Sequence, residues 1–108
     1  MMSESERVLG GVGTRLLSEN DRVRIWEMRL EPGEDSPVHR HDLDYILVIL
    51  GGDKIAGLPE PDSAPGHDQY VDAPVTPGDV YCIPRGGVET ARNTGTTPFY
   101  EIIIELKD

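Results

Sequence analysis

Two histidines one residue apart, His39 and His41, are the side chains in this sequence best placed to do chemistry together. On an extended strand, residues i and i+2 leave the same face. Both imidazoles then project to one side and can share one metal ion, a common use of neutral imidazole. Taken alone, the pair equally fits a surface strand carrying two solvated rings. Fixed offsets surround it. Gly33 precedes His39 with five residues between, Tyr45 follows His41 with three between, and Gly52 follows Tyr45 with six between. Further along, Gly78 is followed after five residues by Pro84-Arg85-Gly86, after two more by Glu89 and after three more by Asn93.

The elements that must position these residues are strands. Helical periodicity is almost absent, and apolar runs separated by Gly and Pro recur about every ten residues, the spacing of an all-β sandwich or barrel. The runs expected as strands are Arg22–Leu30, Ser36–His41, Asp44–Leu50, His67–Val71, Val80–Ile83, Val88–Ala91 and Pro98–Leu106. Asp44–Leu50 is continuously apolar after its first residue, which suggests burial on both faces. Gly51-Gly52-Asp53 reads as a tight hairpin turn, and Leu58–Pro65, with three prolines, reads as an exposed loop. Gly33, Gly78 and Gly86 read as turn glycines. Trp26 and Met28 share an apolar face, and Cys82 in Val80–Ile83 reads as a small buried hydrophobe. Glu101 and Glu105 alternate with apolar residues and are expected to face solvent, with a pocket role for Glu101 as the alternative. Asp44 and His67 are expected at the surface, and Arg40 on the face opposite the two histidines.

Composition narrows the function classes. The chain has 108 residues, enough for one core. Ten Lys+Arg against 20 Asp+Glu give a net charge of −10, which argues against nucleic-acid phosphates and acidic membrane surfaces. One cysteine excludes an intramolecular disulfide framework and an all-cysteine zinc site. No apolar run reaches the roughly 18 residues of a membrane span, and MMSESERVLGG lacks the apolar centre of a signal peptide. The sequence thus predicts a cytoplasmic single domain over residues 15–108 behind a flexible segment 1–14.

The spacing G-x5-H-x-H-x3-Y-x6-G, followed by G-x5-P-x-G-x2-E-x3-N, resembles the two motifs of the cupin superfamily. NDRVRIWEMRLEPGE, HRHDLDYILV and FYEIIIELKD are similar to small single-domain bacterial cupins. The resemblance runs from Gly33 to Asn93. It implies an all-β fold, an antiparallel double-sheet jelly-roll barrel enclosing a pocket. It also implies a metal site of two histidines and a glutamate from the first motif and a histidine from the second. His39 and His41 match. The chain departs at the other two positions: Tyr45 stands at the glutamate and Glu89 at the second-motif histidine. With Glu89 facing the site, the set becomes two histidines and one carboxylate, the facial triad associated with non-haem Fe(II). Relatives often read Gly-Val-Glu-His where this chain reads Gly87-Val88-Glu89-Thr90, so a one-residue shift would put Thr90 in that place instead.

The resemblance therefore implies a cupin that binds a divalent transition metal through His39, His41 and Glu89. Fe(II) is favoured, with Mn, Ni or Zn as alternatives. The expected partner is a small oxygen-bearing metabolite, acted on by dioxygenase, isomerase or lyase chemistry. Tyr45 is the candidate catalytic residue, as a ligand, an acid/base group or, by preference, a hydrogen-bond donor. The competing readings are a non-catalytic small-molecule-binding cupin and a degenerate cupin without metal. No nucleic-acid or membrane partner is expected, and a homodimer is.

Overall fold

The computed structural model describes residues 8–108. Among the described residues nine strands form in chain order: β1 (Arg15–Glu19), β2 (Val23–Leu30), β3 (His39–Arg40), β4 (Asp44–Gly51), β5 (Lys54–Pro59), β6 (Val71–Pro74), β7 (Val80–Ile83), β8 (Val88–Arg92) and β9 (Phe99–Leu106). They make two antiparallel sheets, of order β1-β2-β9-β4-β7 and β3-β8-β5-β6, which is the jelly-roll class expected. No helix is long and apolar enough to cross a membrane.

Strand β9 lies at the centre of the larger sheet, and its alternation sets the core. Phe99, Glu101, Ile103 and Glu105 face inward and are buried. Leu30, Met28 and Trp26 of β2 pair with Phe99, Glu101 and Ile103. Ile49, Leu47 and Tyr45 of β4 pair with Glu101, Ile103 and Glu105 on the other side. The main apolar cluster is therefore built on this inner face. Ile46, Val48, Ile102 and Ile104 take the outer face and are only half-buried, so β4 is not buried on both sides.

Turn glycines work as expected: Gly33, Gly78 and Gly86 have φ of +84°, +99° and +125°, the left-handed region that other residues avoid. Asn93 is fully buried and donates from Nδ2 to the carbonyls of Leu30 and Thr97, tying the ends of β2 and β9 to β8.

Several local expectations are corrected. Gly51-Gly52-Asp53 does not close a hairpin, because β4 and β5 belong to different sheets; Gly52, at φ +107°, carries the chain across. The strand expected at His67–Val71 is Val71–Pro74, and of Ser36–His41 only His39–Arg40 is strand. Leu58 and Pro59 belong to β5 rather than to a loop. Cys82 is exposed, because its register partner is Ile46, on the outer face. Glu101 and Glu105 are buried, because β9 turns that side inward. The expected flexible segment lies in part outside the described residues. Within residues 8–14, Val12 is buried in the core and Gly10 N–H donates to the Val38 carbonyl.

Candidate metal centre and ligand cavity

The site begins with strand pairing. β3 runs antiparallel to β8 with His39 opposite Glu89 and Arg40 opposite Val88. Directly opposite residues project to the same face, so His39 and Glu89 both point into the barrel. The His41 N–H donates to the Gly87 carbonyl and the Gly86 N–H to the His41 carbonyl. These bonds clamp the end of β3 to the turn before β8. At the other end the Ser36 N–H donates to the Ala91 carbonyl, while Ser36 Oγ accepts from the Ala91 N–H and reaches to 3.4 Å from His39 Nδ1.

The three side chains converge. Nε2 of His41 lies 3.3 Å from Glu89 Oε1, and Nε2 of His39 lies 3.9 Å from the same oxygen. One ligand atom from each residue falls within 4.8 Å of the others. His39 Nδ1 lies 2.9 Å from the Pro37 carbonyl. A carbonyl only accepts, so Nδ1 carries the proton and Nε2 offers its lone pair to the site, the usual outer support of a ligating histidine. The His41 ring stands edge-on to His39, at 4.9 Å between centroids, and stacks on Tyr45 at 3.9 Å with 12° between planes. His41 is thus held by packing; its Nδ1 is buried and has no hydrogen-bond partner among the described residues.

Electrostatics act on His39 and Glu89 in the same direction. Burial, with the neighbouring His41, holds the His39 pKa below the ordinary imidazole value. Burial pushes Glu89 up, but the hydrogen bond from His41 and the charges of His41, His39 and His67 outweigh it and keep the carboxyl below its usual range. Neutral imidazole and ionised carboxylate are the forms that ligate metal. The donor set therefore fits a divalent ion: two imidazole nitrogens and one carboxylate oxygen suit Zn(II) as well as Fe(II).

The site opens into a cavity of about 360 Å³ between the sheets, near the lower end of the usual range for small-ligand pockets. Its walls are mainly apolar, with Val12, Met28, Leu47, Ile49, Ile55 and Ile103 among them. Gly57 on β5 leaves room for the metal-side carboxylate, since a Cβ there would stand 2.8 Å from Glu89 Oε2.

Each sequence-derived candidate can now be placed. His39, His41 and Glu89 come together. Glu89, not Thr90, faces the cavity; Thr90 is absent from the lining and pairs with Leu58. Tyr45 lines the cavity beside His41, and its phenol is pushed above its ordinary pKa by burial and by the charges of Glu89 and Glu101. A phenol so placed holds its proton and is suited to donating rather than to acting as a base. Arg40 points outward to Asp62, 3.1 Å away, and Asp44 accepts from Arg85 at the surface.

Sequence reasoning missed two residues. His67, expected to be exposed, is half-buried and lines the cavity against Gly86 and Gly87. Nothing in its local sequence marks this, because a long loop brings it there. Glu101 also lines the cavity. In the sequence a cavity role is only its alternative; pairing with Met28 and Ile49 is what turns it inward.

A family model described as "Auxin binding protein" matches residues 7–105. Among curated proteins, auxin-binding protein T85 of Nicotiana tabacum is 29% identical over 88 residues, covering 78% of this chain and 45% of that protein. Auxin-binding protein 1 of Arabidopsis thaliana is 28% identical over 83 residues, covering 76% and 41%. The chain thus spans less than half the length of these relatives. Among solved structures, a cupin domain from Bordetella pertussis Tohama I superposes with a TM-score of 0.74 at 27% identity, over 94% of this chain and 98% of that one. An RmlC-like cupin with a double-stranded β-helix fold, from Methanocaldococcus jannaschii, superposes at 0.68 with 15% identity, over 97% and 94%. With two facing antiparallel sheets, a cavity between them and a family match over nearly all its length, this chain belongs to the auxin-binding protein family of the cupin superfamily.

Proposed function

We propose that this protein binds a divalent transition metal through His39, His41 and Glu89 and, through the metal, a small carboxylic acid with an apolar body. The observation that carries the reading is the approach of both Nε2 atoms to one Glu89 oxygen, at 3.3 and 3.9 Å, at the polar wall of an otherwise apolar cavity. Such an ion supplies a Lewis acid for an oxygen ligand. The chain supplies the rest: Tyr45 offers a phenol donor beside His41, and the apolar walls exclude water around the ligand body. Two relatives named as auxin-binding proteins support ligand capture, and auxins are small aromatic acids.

The test is metal content by elemental mass spectrometry on protein purified without a histidine tag. The parent and Thr90→Ala are expected to hold near-stoichiometric metal and Glu89→Ala to hold little. An empty parent, even after anaerobic iron loading, would overturn the reading in favour of a metal-free cupin. Loss in Thr90→Ala with retention in Glu89→Ala would transfer the ligand role to Thr90.

A second reading, oxygen chemistry on Fe(II), is favoured by one feature, the two-histidine-one-carboxylate donor set, which leaves positions open for substrate and oxygen. Oxygen uptake by the iron-loaded protein with candidate acids separates it from simple binding.

A further inference from the structure

Three glutamates of the larger sheet are buried: Glu27, Glu101 and Glu105. Two have partners. Glu27 accepts from Tyr100 Oη at 2.6 Å and from Arg15 Nε at 2.9 Å. Glu105 accepts from Trp26 Nε1 at 2.7 Å and lies 3.6 Å from Arg24. Glu101 is different. It is 6% exposed, and among the described residues it has no hydrogen bond and no ion pair. Its register neighbours are Met28 on β2 and Ile49 on β4, neither of which can donate. The nearest indole donor, Trp26, is committed to Glu105. The side chain lines the cavity from the larger sheet, whereas His39 and Glu89 line it from strands of the smaller one and His41 from just beyond β3.

Among the described residues the only sealed side-chain polar atom without a partner is His41 Nδ1, so the Glu101 oxygens open to the cavity, where a donor on a ligand can reach them. We propose, resting on the ligand-binding reading above, that Glu101 is the specificity-determining residue of the cavity, accepting a hydrogen bond from an N–H or O–H on the body of a small carboxylic acid held at the opposite wall. The ligand class is thereby narrowed: an acid group at one end, an apolar body, and one hydrogen-bond donor facing β9. Burial, reinforced by the charge of Glu89, pushes the Glu101 pKa up to about 8. A carboxyl oxygen accepts a hydrogen bond in either protonation state.

The test uses zinc-loaded protein, calorimetry and two near-isosteric probes: indole-3-acetate, with a ring N–H, and 1-benzothiophene-3-acetate, with sulfur in its place. Wild type is expected to bind the indole about ten- to a hundredfold more tightly, the range for one buried hydrogen bond. Glu101→Gln keeps an acceptor oxygen and should keep the preference; Glu101→Leu should abolish it, with zinc affinity unchanged in all three. Equal binding of the two probes by wild type overturns the role of Glu101 while leaving the ligand-binding reading standing. A preference that persists in Glu101→Leu overturns it likewise. Binding of neither probe overturns the carboxylic-acid reading itself. If Glu101→Leu does not fold, the wild-type probe pair alone decides.

Discussion

His39 and Glu89 are direct register partners across β3 and β8, so the antiparallel pairing itself puts an imidazole and a carboxylate on the same inward face. The carboxylate stands at the position where the superfamily resemblance places a histidine. The strand geometry is indifferent to that exchange, because either side chain leaves the backbone in the same direction. His41, at the end of β3, completes the group at 3.3 Å.

Gly57→Ala should weaken metal binding without touching a ligand. The new Cβ would lie 2.8 Å from Glu89 Oε2, closer than contact allows, and the end of a flexible side chain will move before the backbone does. A tenfold or greater loss of zinc affinity is expected, the scale seen when residues that orient ligands are disturbed. Stability of the metal-free chain should change by less than about 1 kcal/mol. Calorimetric zinc titration beside urea unfolding checks both parts.

Metal should stabilise the fold. A ligand that binds only the native state adds about 2.7 kcal/mol at a hundred times its dissociation constant. Zinc titrated into the metal-free protein is expected to raise the unfolding midpoint steadily. Glu89→Ala should show almost no rise over the same range; an equal rise would place the ion elsewhere.

Glu101 should make the metal-free protein less stable as pH rises. Its carboxyl, ordinarily near 4.5, is pushed up to about 8 by burial and then by Glu89. Between those values the native chain holds a proton that the unfolded chain has released, so stability falls with rising pH across that window. Glu101→Gln cannot titrate and should gain on wild type by on the order of a few kcal/mol between pH 5 and pH 8.5. Urea unfolding at the two pH values measures it; parallel curves for the two proteins would show that the carboxyl is not held protonated.

Asn93→Ala should cost about 2–4 kcal/mol, because it strips the Leu30 and Thr97 carbonyls of their donor in a fully buried place. The residue lies apart from the metal ligands, so zinc affinity of the folded fraction should stay near wild type. Thermal unfolding and zinc titration read the two quantities separately.

Much of the fold was legible because strand signals are local. Val80–Ile83 coincides with β7, and β2, β4, β8 and β9 fall within a residue of their expected ends. The glycines at the cupin-like offsets take the positive φ their turns require. β1 and β5 were not, and the reason is physical. β1 is exposed along its length, so no face of it carries a pattern. β5 packs through Ile55 and Ala56, with Gly57 next to them and Pro59 at its end, too few large side chains in alternation to mark a strand.

What the sequence determined by itself was which residue types stand at which offsets: two histidines one residue apart, and a glutamate where the superfamily resemblance expects an imidazole. That was enough to name His39, His41 and Glu89. What only the tertiary structure decided was direction. In β9 both sides of the strand are rich in apolar residues, so polarity cannot say whether Glu101 or Ile102 turns inward. Pairing with β2 on one side and β4 on the other settles it, and it puts a carboxyl with no partner into the cavity. His67 depends in the same way on where a long loop comes to rest. Alternation along a strand is fixed by local backbone geometry, but the face that becomes the inside is chosen by which sheets pack against each other.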